Sequence, residues 1–196
     1  MAIRLESTLR VVFNISLAAG MLYHASAGTI DFTPTEGQRQ LEGIVFTQTL
    51  FHQDGRVITY ETPREWSRWG NSSRLILTPP GTSRAQAIIE QVTLPGPQTF
   101  DDPATKQLQQ IVLNSVPPDA HDVQLVSVEA NPVRINHQAS YEVKASYRYF
   151  GQNYQVGVIF ANLGDLQLRF RFVARTSEFE ELYRMFRGSL FTLHWS

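Results

Sequence analysis

The 196-residue chain contains no cysteine. That excludes disulfides, thiolate zinc sites, cysteine nucleophiles and a lipid anchor on a thiol. Lysine is nearly absent too: Lys106 and Lys144 are the only lysines among 17 basic residues. Charge is sparse overall, 18% of residues with a net of −1. No global field draws such a chain to nucleic acid or to an anionic bilayer. The signatures of catalysis are missing as well. There is no Gly-x-Ser-x-Gly elbow, no Ser-x-x-Lys and no glycine-rich phosphate loop before a helix. No two of His52, His121, His137 and His194 stand at metal-ligand spacing on one helix. His121 with Asp119 or Asp122 is the one place where a metal, proton-transfer or hydrolytic site could form, and a solvated loop is the favoured reading. The reading is therefore of a non-enzyme that needs no cofactor and no metal.

What is present begins with an address. Arg4 and Arg10 flank the start of a 12-residue, mostly apolar stretch, Val11 to Leu22, and Ala25-Ser26-Ala27 follows. This is the layout of a signal peptide over 1–27, cleaved near Ala27/Gly28, and the stretch is too short to span a bilayer as a helix. Export to a periplasmic or extracellular space is expected, with membrane contact only through that segment; retention of the segment as an anchor is the alternative. Residues 28–42 are polar, with Gly and Pro, and read as a loosely ordered leader. Residues 43–196 then read as a single domain, long enough to bury roughly 70% of its unfolded surface without a staple.

Within it, Asp54-Gly55 marks a two-residue hairpin turn between β-prone runs. Residues 74–78 and 85–93 predict a second strand pair. Asp102 as N-cap, Pro103 at the first helical position and Leu108, Ile111, Val112 and Ser115 on one face predict a helix ended by Pro117-Pro118. Strands are expected at 122–130, 139–150, 154–161 and 166–175. Ser177 and Glu180 form a capping-box pattern ahead of the stripe Phe179, Leu182, Tyr183, Phe186 and Leu190, which predicts a closing helix docked on a sheet. Consecutive strands joined by tight turns indicate an α+β fold with a central, mostly antiparallel sheet and flanking helices.

Two features stand out as candidate binding groups. In "YETPREWSRWG", residues 60–70, Trp66 follows a Pro-initiated turn and reads as a buried structural anchor. Trp69 precedes a loop and reads as exposed, with Arg64 and Arg68 beside it. The second feature is strand alternation. A three-residue loop at Asn162-Leu163-Gly164 would place Phe160 opposite Leu166, and a Gly151-Gln152 link would place Tyr147 opposite Val156. That register collects Glu142, Lys144, Arg148, Gln155, Arg169, Arg171 and Arg175 on one charged face. Such a face could grip an acidic partner or be an ordinary solvated sheet surface.

The strand–proline–x–x–tryptophan entry "ITYETPREW" (58–66), the strand-rich middle after one amphipathic helix and the closing "FEELYRMFRGSLFTL" (179–193) resemble the PsbP-like group, related to the extrinsic P subunit of photosystem II. The resemblance covers about 43–193 and implies an α/β/α sandwich and an accessory role without catalytic residues. The expectation is an exported, non-catalytic accessory protein that engages a protein partner or envelope component. A small-molecule site for an amphipathic acid near Trp66 and Trp69 is the alternative.

Overall fold

The computed structural model describes residues 28–196 apart from residue 83. The expected signal segment, 1–27, lies outside the described residues. Two sheets form. The larger has seven strands: β4 (Ser67–Gly70), β5 (Arg74–Thr78), β6 (Gln86–Thr93), β7 (His121–Ala130), β8 (Ser140–Tyr149), β9 (Gln152–Leu163) and β10 (Leu166–Arg175). Their spatial order is β4-β5-β6-β10-β9-β8-β7, and every pairing is antiparallel. The smaller contains β1 (Asp31–Leu41), β2 (Ile44–Gln53), β3 (Arg56–Tyr60) and β11 (His194–Trp195), in the order β1-β2-β3-β11. Two helices, α1 (Asp102–Leu113) and α2 (Thr176–Ser189), complete an α+β architecture.

The β2–β3 turn is as its residues dictate: Asp54 and Gly55 both take positive φ, the geometry whose twist matches a hairpin. The same device, Phe150-Gly151 with both φ positive, links β8 and β9. This turn sits one residue earlier than expected, so Tyr147 faces Tyr154 and Ala145 faces Val156. That two-residue shift in pairing preserves the faces. The β9–β10 turn does not. The loop closes at Gly164-Asp165, Leu166 faces Leu163, and Arg169 faces Phe160. The pairing moves by an odd number of residues, and each odd slip exchanges the two faces of a strand.

One face of β8–β10 therefore carries Tyr141, Val143, Ala145, Tyr147, Tyr154, Val156, Val158 and Phe160, packed under Leu108 and Val112 of α1. The other carries Ile159, Ala161, Phe170 and Phe172 under Phe179, Tyr183 and Phe186 of α2. Phe172 is central there, with the rings of Phe179, Tyr183 and Phe186 all within 6 Å of its own. The small sheet covers the same face over β5 and β6, joining Phe32, Phe51, Ile58 and Tyr60 to Leu75, Leu77 and Ile89. Above β5 and β6, then, the outer layer is a sheet, whereas a plain three-layer α/β/α arrangement would place helices there.

Three expectations are corrected. Residues 28–42 form no loose leader. Ile30 and Phe32 are buried, Phe32 meets Phe51 edge-on at 5.6 Å, and Gln91 bonds both the amide and the carbonyl of Ile30 at 2.7 Å. The segment continues as β1, an edge strand that tolerates Pro34 because one side of its ladder is unpaired. The N-cap of α1 is Asp101, whose Oδ1 accepts from the Ala104 amide at 2.9 Å; Pro103 is therefore the second helical residue. Finally, α2 has no capping box. It starts at Thr176 directly from β10, which leaves Ser177 inside the first turn, and the cap position, Arg175, makes no side-chain cap bond.

Candidate functional site

Alternation along β4, β5, β6 and β10 places one row of side chains inward and the next outward. Leu75, Leu77, Ala87, Ile89, Phe170 and Phe172 point to the side covered by the small sheet and α2 and are buried. The opposite face over this half of the sheet lies away from the small sheet, and apart from the buried Gln167 its side chains are half-exposed or exposed. The register sets two cross-strand rows on it. Trp69 faces Ile76, Ile76 faces Ile88, and Ile88 faces Arg171. In the neighbouring row Arg74 faces Glu90 and Glu90 faces Arg169. An apolar ladder headed by a tryptophan thus lies beside a ladder of two arginines and one glutamate, with a third arginine closing the apolar row.

The two tryptophans occupy opposite sides of this sheet. Trp66 is 5% exposed and tilts against Phe172 with ring centres 5.9 Å apart. Its position follows from a turn closed by the Trp66 amide on the Pro63 carbonyl at 3.1 Å, with Glu65 at positive φ. Trp69 sits three residues further along, in β4, and is 56% exposed. Its neighbour Arg68 points the other way, to Glu36 of β1, at 2.5 Å. Arg64 is exposed at the turn and pairs loosely with Glu65 at 3.8 Å.

The arginines of the open face are not freely solvated. Burial lowers the Arg171 pKa, against the opposing influence of Tyr147 and Glu90; one of its nitrogens donates to the Ser115 carbonyl at 3.3 Å, at the end of α1. Burial likewise lowers that of Arg169, which donates from Nε to Gln167 at 3.0 Å and lies over the Phe160 ring at 5.9 Å. A half-buried guanidinium held by neutral partners keeps donors and charge to offer an incoming anion.

The single charged face expected from sequence is not formed. The odd register of β9–β10 leaves Arg169, Arg171 and Arg175 on the α1 side and sends Glu142, Lys144, Arg148 and Gln155 to the α2 side. Arg148 is exposed near the β7 edge, beside Asp122 and Asn153. Arg175 stands at the start of α2, near Tyr154, where Arg84 also donates to the Tyr154 hydroxyl at 3.1 Å. His121 lies exposed on edge strand β7, opposite Arg148 in the register. The structure thus brings Trp69, Arg169 and Arg171 onto one face, with Arg175 further along the same face of β10 at the start of α2, and leaves Arg64, Arg68 and Arg148 apart from them.

A second constellation went unread in the sequence. Glu142 is only 1% exposed, yet it is a carboxylate. Arg187 of α2 donates to its Oε2 at 3.1 Å, and Lys144 Nζ stands 3.7 Å from Oε1. Arg187 also holds Glu129 of β7 at 3.0 Å and the Pro132 carbonyl at 3.2 Å. Burial pushes the Glu142 carboxyl upward, with Lys144 and Arg187 acting against that. Burial also raises the Tyr183 hydroxyl well above its ordinary range, and the adjacent Glu142 adds to the effect. A depression of about 720 Å³ opens beside this group, lined by Lys144, Glu180, Tyr183, Arg184, Arg187 and Phe191 among others. Its lining contains neither Trp66 nor Trp69, so the expected pocket near the tryptophans is not what this depression is. Its charges are largely satisfied internally: Lys144 also pairs with Glu180 at 3.8 Å. The arrangement acts as a clamp that ties α2 to β7 and β8. Among the described residues no group of three or more His, Asp or Glu is placed to hold a metal.

No protein-family model matches the chain, and no curated protein matches it in sequence. Solved structures do match. The fold resembles that of cyanobacterial PsbP from Synechocystis, with a TM-score of 0.47 and 10% identity over 91% of this chain and 99% of that one. LpqN of Mycobacterium tuberculosis, involved in cell envelope biogenesis, matches with a TM-score of 0.49 and 14% identity over 83% of this chain and 91% of that one. PA94 of Pseudomonas aeruginosa, a protein of unknown function, matches with a TM-score of 0.49 and 13% identity over 81% and 96%. These are likenesses of fold.

Proposed function

We infer that the chain is a non-catalytic accessory protein, acting outside the cytoplasm, that docks a protein partner on the open face of its seven-stranded sheet. The observation that carries this reading is the alignment of Trp69, Ile76 and Ile88 in one cross-strand row next to Arg74, Glu90 and Arg169. Tryptophan and arginine are the residue types that dominate binding energy at interfaces, and they act best around a desolvated apolar centre. Three arginines against one glutamate favour a partner surface that is acidic around an apolar patch. The face is a sheet surface and no deep cleft, which fits a macromolecule better than a small acid.

The test is capture from envelope fractions with the wild type, Trp69→Ala and Arg169→Glu, each first shown to unfold at the wild-type temperature. The reading requires a defined protein retained by the wild type and lost from both variants, with retention falling as salt rises. Equal retention by all three moves the interface elsewhere. If the wild type elutes alone while its tryptophan fluorescence responds to a fatty or aromatic acid, the partner reading fails and the small-molecule alternative replaces it.

A further inference from the structure

The first β-hairpin extends beyond the body of the molecule. Its register runs Gln38–Thr47, Arg39–Phe46, Gln40–Val45 and Leu41–Ile44, closed by Glu42-Gly43 with both φ positive. In β2 burial begins only at Gln48; Ile44, Val45, Phe46 and Thr47 are all exposed, as are Gln38, Arg39 and Gln40 opposite them. Four rungs of a strand carry the tip about 13 Å past the last buried rung. The exposed residues there are consecutive and large: Ile44 60%, Val45 56% and Phe46 40%. Successive strand residues point to opposite faces, so Ile44 and Phe46 lie on one side of the hairpin and Val45 on the other.

We propose that this tip is a lipid-contacting wedge that dips into the interfacial region of a bilayer. A protein groove would complement one face of a hairpin and leave the other polar. Apolar side chains on both faces suit a medium that is apolar in all directions, which hydrocarbon is. Nor is a charged surface the attractant. The tip carries Arg39 and Glu42, which cancel, so its affinity rests on apolar burial and is insensitive to anionic lipid. Among the described residues both outer edges of the tip are unpaired, since β3 pairs with β2 only from Thr49 onward, which limits the depth to the side chains and the outermost rung. Contact of this size is weak and reversible, suited to orienting a protein at a membrane surface. Among the described residues no helix is long and apolar enough to cross a membrane.

The lack of any cysteine makes the test clean. Val45→Cys in the full-length chain supplies a unique thiol for an environment-sensitive fluorophore, and Lys106→Cys on the exposed side of α1 supplies the control. With phosphatidylcholine vesicles, the probe at 45 shifts to the blue and is quenched by lipid-borne quenchers, while the probe at 106 is not. The shift is unchanged when phosphatidylglycerol is mixed in or salt is raised. Ile44→Asp in the Val45→Cys background weakens the response on the order of tenfold, the effect of withdrawing one aliphatic side chain from hydrocarbon. Tip insertion is overturned by an unmoved probe at 45 or by equal shifts at 45 and 106, the latter showing that another segment holds the chain to the vesicle. A shift at 45 that appears without lipid and grows with protein concentration also overturns it, in favour of self-association.

Discussion

At the scale of single residues, the sharpest question is what the buried carboxylate of Glu142 does for the fold. Its pKa is raised in the folded chain because burial outweighs the attraction of Lys144 and Arg187. A raised carboxyl pKa means that the protonated form is the one folding favours. Stability on this account is fully present below the unfolded value of about 4.3 and is lost as pH rises through the folded pKa. At neutral pH the ionised group is therefore a net cost, tolerated because Arg187 bonds it. Two substitutions separate these roles. Glu142→Gln keeps the shape and removes the charge; at pH 7 it leaves stability unchanged or raises it in urea denaturation. Arg187→Ala leaves the carboxylate without its main partner and costs about 3 kcal/mol at pH 7, a loss that shrinks as the pH approaches 4. If Glu142→Gln lost as much as Arg187→Ala, the ion pair would be a net source of stability and this balance would be wrong.

At the scale of elements, what the sequence reveals depends on how local the determinant is. Asp54-Gly55 is legible because the turn's φ values are a property of two adjacent residues. The α2 stripe is legible because Phe179, Tyr183 and Phe186 repeat at helical spacing and all are buried. The β9–β10 register is not. Asn162-Leu163-Gly164 and Gly164-Asp165 are both plausible turns, and the choice between them inverts the faces of a strand. Long-range packing decides it: Ile159 and Phe170 must share the face under α2. Strand β1 was hidden for a similar reason, since two apolar anchors, Ile30 and Phe32, suffice once Phe51 and Gln91 are beside them. The Glu129–Glu142–Arg187 clamp joins α2 to the strand pair β7–β8, 45 and 58 residues back along the chain, so no spacing could announce it. The open face was half visible: Trp69 stood out, whereas its grouping with Arg169 and Arg171 required the order of β4, β5, β6 and β10. One element-level contact is directly testable. Helix α2 approaches β9 where Gly157 lies, and a Cβ there would stand 2.8 Å from Tyr183 Cζ. Gly157→Ala pushes the helix off the sheet and costs about 1–3 kcal/mol in urea denaturation, as overpacking does. Gly96→Ala, where nothing lies within 4 Å, is the matched control and leaves stability unchanged. Equal behaviour of the two would mean that α2 does not seat so closely.

At the scale of the whole molecule, the two tryptophans summarise how the fold distributes its faces. One side of the large sheet is covered by α2 over β9 and β10 and by the small sheet over β5 and β6, with Arg148 left exposed toward the β7 edge. The other is covered by α1 over β8 and β9 and left open over β4, β5 and β6. The occupied side holds most of the buried aromatic rings, and two of these are phenols that the core keeps neutral. Burial raises the pKa of Tyr60, whose hydroxyl meets Ser189 Oγ at 2.7 Å, and raises that of Tyr183 more strongly still. A phenol that resists ionisation when folded contributes stability fully below its unfolded pKa of about 10, and that stability is lost as pH rises further. Each such group removes about 1.4 kcal/mol per pH unit above that point, so the pair removes about 3 kcal/mol per unit. Tyr154 works in the opposite direction, because the hydrogen bond from Arg84 lowers its pKa. The expectation is a stability that is level from about pH 8 to 10 and then falls steeply, measured as urea midpoints at fixed ionic strength. Tyr60→Phe removes one of these phenols, so its stability declines above pH 10 with a shallower slope than the wild type, after a pH-independent loss for the missing Ser189 bond. A wild-type midpoint that stays level through pH 11 would show these phenols ionising within the folded chain. That would place water in the layer between α2, the small sheet and the strands they cover.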